Sequence, residues 1–150
     1  MKKEQRKTIS TIHKASGILA LVVIILFFLA SVYSELNGNH EIIIRVKTII
    51  LFSMPVMFVL MPIAAITGKK LAGKSSAPVI KSKNNRVKFI AANGVFLTIL
   101  AITLYLRATR NQIDETFLII QFIEFGFGLF NMILLGMMIR DGRTLTGKNK

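Results

Sequence analysis

The chain has no cysteine, which excludes a disulfide framework and any thiolate metal site. It has no tryptophan, so an aromatic belt at a membrane surface must come from Tyr33, Tyr105 and the phenylalanines. Acid is scarce: 7 Asp and Glu stand against 20 Lys and Arg, a formal net charge of +13. Histidine occurs twice, at His13 and His40. With so few ionisable groups, no Ser/His/Asp, Cys/His or paired-carboxylate set falls within one leaflet, and an enzyme is not expected. Asp114 and Glu115 are adjacent, but they read as solvated charges at a helix start.

What the chain has in excess is apolar length. Hydrophobic residues make up 53% of its 150 positions and charged residues 18%. A soluble domain carries about 45–50% and about 25%. The excess lies in four runs, at about 15–34, 48–67, 89–106 and 117–140, each near the length needed to cross about 30 Å of hydrocarbon. The fold expected is an all-α membrane protein, a single domain over 1–150, with four transmembrane helices in one bundle. A basic start before an apolar run can be a cleaved signal peptide. The first run is too long for one and lacks a good cleavage site, so it reads as a retained helix.

The basic residues flank these runs unevenly. Five precede the first run, seven lie in Gly68–Lys88 and four follow from Arg140, whereas the loops at 35–47 and 107–115 hold two each. The positive-inside rule then places both termini and the middle loop in the cytoplasm, in a bacterial inner membrane. No aromatic stacking platform accompanies the charge, so nucleic acid is not expected as a partner.

Gly68–Ser75, GKKLAGKS, matches a phosphate-loop pattern letter for letter. Such a loop needs a preceding strand and an α/β surround. Here it follows a membrane run, and nucleotide binding is not expected. Gly68 reads instead as a helix stop, with Lys69, Lys70 and Lys74, and Lys148 of the tail, against anionic lipid. GxxLxGK recurs 74 residues later, from Gly142 to Lys148, and Lys14 and Lys88 are also 74 apart. The two hairpins therefore read as parallel repeats about an axis along the membrane normal.

Pro55 and Pro62 in the second run predict bends, and Met54, Met57 and Met61 read as packing around them. In the fourth run Gln121, Glu124, Gly128 and Asn131 fall within one sector of about 80°. A carboxylate at membrane depth costs about 2–3 kcal/mol or more unless paired, protonated or wet. Glu124 is therefore the chief candidate site residue, with Ser31, Ser53 and Tyr105 at matching depth as its expected partners. A cross-helix hydrogen bond is expected between Asn131 and Asn93. His13, one turn before the first run, is the one candidate ligand for a b-type haem, with Met61 or Met137 as a conceivable second. His40 lies in the opposite loop. Otherwise no metal or cofactor is expected.

RVKFIAANG (Arg86–Gly94) and NMILLGMMIRDGRTLTGK (Asn131–Lys148) resemble a family of small bacterial four-helix membrane proteins of unknown function, with an AANG third-helix start and an RDGxxLTG carboxyl end. The resemblance implies the architecture and no activity. Small multidrug-resistance transporters also have four helices and one buried Glu, but theirs lies in helix 1.

Three functional expectations result. The first is a non-enzymatic accessory or assembly subunit that packs as a homo-oligomer or in a larger membrane complex. It is motivated by the small-residue stripes Gly17/Ala20 and Gly94/Thr98/Ala101. The second is a small proton-coupled or cation transporter using Glu124. The third is a haem-binding electron carrier using His13.

Overall fold

In the computed structural model, which describes residues 3–73 and 78–145, the chain forms four long helices. They are α1 (Lys3–Asn37), α2 (His40–Ala72), α3 (Pro78–Thr109) and α4 (Glu115–Leu145). Each contains a window long and apolar enough to cross a membrane, as expected of an integral membrane helical protein.

The helices extend past the expected spans at both ends, into the flanking polar stretches. Two side chains fix the tight turns. Asn39 caps α2, its Oδ1 accepting from the Glu41 and Ile42 N–H groups at 2.9 and 3.3 Å. Asp114 caps α4, accepting from the Phe117 N–H at 3.0 Å. Gly38 has φ +68, a left-handed conformation that suits glycine. The loop expected at 35–47 thus shrinks to Gly38 and Asn39, and Lys47 lies well inside α2.

Gly68 does not stop α2. The helix runs through it, and through Pro55 and Pro62, to Ala72, and Gly73 closes it with φ +57. Most of the basic stretch expected as a loop over Gly68–Lys88 is helical, as the end of α2 and the start of α3. Lys74 and Lys148 lie outside the described residues, and with them part of each GxxLxGK copy.

α1 packs on α2 and α4, and α3 packs on the same two. The diagonal pairs have no backbone contact among the described residues. The result is a square, up-and-down bundle of two hairpins. Near the hairpin turns, Ile43, Leu104, Ala108 and Phe117 form an apolar plug. Toward the other end, Ile24, Ile90, Leu134 and Leu135 form a second cluster with Met57, Met61, Met132 and Met138 around it. Ala20 and Ala101, from the two small-residue stripes, are buried within the bundle.

Candidate functional site

Ile43, Lys47 and Ile50 follow one another at i, i+4 and i+7 on α2, and all three are buried. This spacing carries the Lys47 side chain into the bundle, where it is 2% exposed. The ammonium sits about 10 Å along α2 from its start. A charge at that depth needs partners, and three converge on it. Lys47 Nζ donates to Ser31 Oγ of α1 at 3.1 Å, to Gln121 Oε1 of α4, and to Glu124 Oε2 of α4 at 3.2 Å. Gln121 Nε2 donates to the same carboxylate oxygen at 2.8 Å. Glu35, near the end of α1, lies within electrostatic reach of both Lys47 and Glu124.

The expected polar face of α4 therefore does point inward: Gln121, Gly128 and Asn131 are buried, and Glu124 is only 12% exposed. Its partner is corrected. Lys47 pairs with Glu124, and Ser31 joins through Lys47, whereas Ser53 and Tyr105 take no part in these contacts. A lysine beside an apolar run ordinarily marks a membrane flank, so the sequence pattern alone places Lys47 in the 35–47 loop. The missed signal is its register, one turn from both Ile43 and Ile50.

The hydrogen bond expected between Asn93 and Asn131 is also corrected. Asn93 Nδ2 donates to the Phe127 carbonyl at 2.8 Å. Among the described residues, the carbonyl oxygens of Asn93 and Asn131 are both buried and accept nothing. The two asparagines still belong to one region of the α3–α4 interface.

Below the polar centre, on the side away from the plug, the helices leave a cavity of about 280 Å³. Glu124 and Asn131 line it from α4, with Phe28, Phe125, Met54 and Met57 among the apolar walls. Phe28 and Phe125 meet edge to face, with ring centres 5.4 Å apart. Among the described residues Glu124 is the one acidic or basic side chain in the cavity wall, and Lys47 reaches it from outside the wall. No protein-family model, characterised protein or solved structure matches the chain. The reading of the site rests on this geometry.

The remaining site candidates stand apart from the polar centre. His13 Nδ1–H donates to the Ala64 carbonyl at 2.9 Å, with Thr67 Oγ1 at 3.3 Å. Its ring lies against Gly68, where an added Cβ would meet Cε1 at 2.9 Å. Gly68 is thus a seat for the His13 ring. His40 is at the opposite end, with Nδ1 3.3 Å from Asn111 Oδ1. Lys69 and Lys70 are exposed on the last turn of α2. Arg86 and Asp141 form an ion pair between α3 and α4, with the Arg140 Nε 3.7 Å from the same Asp. No group of three or more His, Cys, Asp or Glu that could hold a metal ion occurs among the described residues.

Proposed function

We propose that the protein is a non-enzymatic carrier in which a cation binds at Glu124 in exchange for a proton from its partner Lys47, with both termini on the cytoplasmic side of a bacterial inner membrane. The observation that carries the reading is the buried Lys47–Glu124 pair, whose carboxylate forms part of a cavity wall. A charge pair of this kind is costly to keep in a bundle core, where two apolar residues pack as well or better. It is also what a cation exchanger requires. Lys47 acts as a tethered cation that occupies the carboxylate when no substrate does.

The exchange step balances. A cation arriving at Glu124 displaces the Lys47 ammonium. A buried ammonium without a counter-ion favours its neutral form. Lys47 then releases one proton, becoming a neutral amine, as one positive charge binds. Departure of the cation reverses the step. The plug of Ile43, Leu104, Ala108 and Phe117 supports a closed path on the hairpin side, with the cavity lying on the other.

The accessory-subunit reading was motivated by small-residue stripes. Ala20 and Ala101 are buried inside the bundle and Gly94 lines the cavity, so these residues serve internal packing. The exchange reading is the better supported of the two.

The test uses vesicles reconstituted with the protein and loaded with a pH-sensitive dye. External pulses of sodium, potassium or phenyltrimethylammonium are compared. At least one of these is expected to make the lumen alkaline, and the double change Lys47→Met with Glu124→Leu, which leaves neither charge stranded, to abolish the response. If none shifts the internal pH beyond empty vesicles, exchange is refuted.

A further inference from the structure

We infer that the cavity below Glu124 binds an organic ammonium ion with an apolar body, its charged end taking the place of Lys47 at the carboxylate. This rests on the exchange reading and names its class of substrate.

A cavity of about 280 Å³ is far larger than a bare ion needs, and falls just below the usual range of small-molecule sites, about 300–1,000 Å³. Its apolar walls offer water few partners, so hydration does not account for the space. Met54 and Met57 are soft and adaptable, and Phe28 and Phe125 present rings. Aromatic faces attract ammonium groups, and methionines fit themselves to varied apolar shapes. Among the described residues the wall holds an acid, Glu124, and no basic side chain, so it suits a cation and offers an anion no partner.

Asn131 lies seven residues beyond Glu124 on α4, about 10 Å along the helix, and also lines the cavity. Its carbonyl oxygen is buried out of reach of a water molecule, so the charged anchor is Glu124, with apolar wall beyond it. The fitting molecule is a primary amine with an apolar body of up to about 10 Å.

The test is calorimetric titration of the full chain in mild detergent with phenylpropylamine and its neutral analogue phenylpropanol, each measured against empty micelles. Repeating it in buffers of different ionisation enthalpy counts the protons released. The amine is expected to bind about tenfold or more tighter than the alcohol, the value of one ionic hydrogen bond, with about one proton released per amine bound, as the exchange stoichiometry requires. Because Glu124→Gln would strand the Lys47 charge, the decisive variant is the double change Lys47→Met with Glu124→Leu. It removes both charges together, and its fold is checked by circular dichroism. It should lose the preference for amine over alcohol.

Equal binding of amine and alcohol would overturn the inference, as would amine binding unchanged in the double variant or no binding of either compound. The two readings fail separately. Proton movement driven by sodium or potassium without amine binding refutes the substrate class and leaves exchange standing. Amine binding with no cation-driven proton movement supports the site and refutes exchange.

Discussion

Lys47→Met keeps the length of the side chain and removes the three contacts that Nζ makes, to Ser31, Gln121 and Glu124. Glu124, 12% exposed, then has only the Gln121 amide beside it. Removing one partner of a buried ion pair costs about 3–5 kcal/mol. The variant should therefore be about 3–5 kcal/mol less stable than the parent. The assay is reversible unfolding in mixed micelles, titrating with a denaturing detergent and following helicity. The double change Lys47→Met with Glu124→Leu should stay within about 1 kcal/mol of the parent, because neither charge is left alone. No loss in the single variant, or an equal loss in the double one, would refute the buried pairing.

Three further outcomes are expected. Asn131→Leu removes an unpaired buried acceptor and should stabilise the bundle by about 1 kcal/mol, read by the same unfolding assay. Gly68→Ala places a methyl 2.9 Å from His13 Cε1 and so sets the cost of shifting the ring against the roughly 0.5–1 kcal/mol that alanine gains over glycine inside a helix; in a His13→Ala background the gain alone should remain, read by the same assay. The Phe117 N–H bonded to Asp114, and then the Arg107 side chain, hold that carboxyl below the usual range. Its contribution to the α4 start is thus complete above about pH 4 and is lost as the pH falls below it, an acid transition that Asp114→Asn should remove from the unfolding profile.

The architecture was legible because hydrophobic length is a strong signal. Four runs of near-membrane length admit few arrangements, and the inward face of α4 followed from the spacing of Gln121, Glu124, Gly128 and Asn131 alone. The partner of Glu124 was not, since Lys47 obeys two rules that point in opposite directions. As a lysine at the edge of an apolar run it reads as a flank. As the residue between Ile43 and Ile50 on one face it reads as core. Recognising Asn39 as a helix cap would have started α2 early enough to choose the second. Gly68 misled for a related reason. A glycine near a helix end often stops it, and only the neighbouring helix reveals that this one makes room for a ring.

Lys47 and Gln121, which touch across the diagonal of the bundle, are separated by 74 positions. That is also the interval between the two GxxLxGK stretches. Ile43 and Phe117, buried one turn earlier on the same two helices, keep the same interval. Two identical hairpins related by a twofold axis would force any residue at the axis to face its own copy, lysine against lysine or glutamine against glutamine. The first repels and the second has no net charge, so neither arrangement could bind Glu124 as a single counter-ion. Joining the halves in one chain lifts that constraint. One copy of the position can supply the cation and the other the amide that steadies it, which yields a single asymmetric site per molecule.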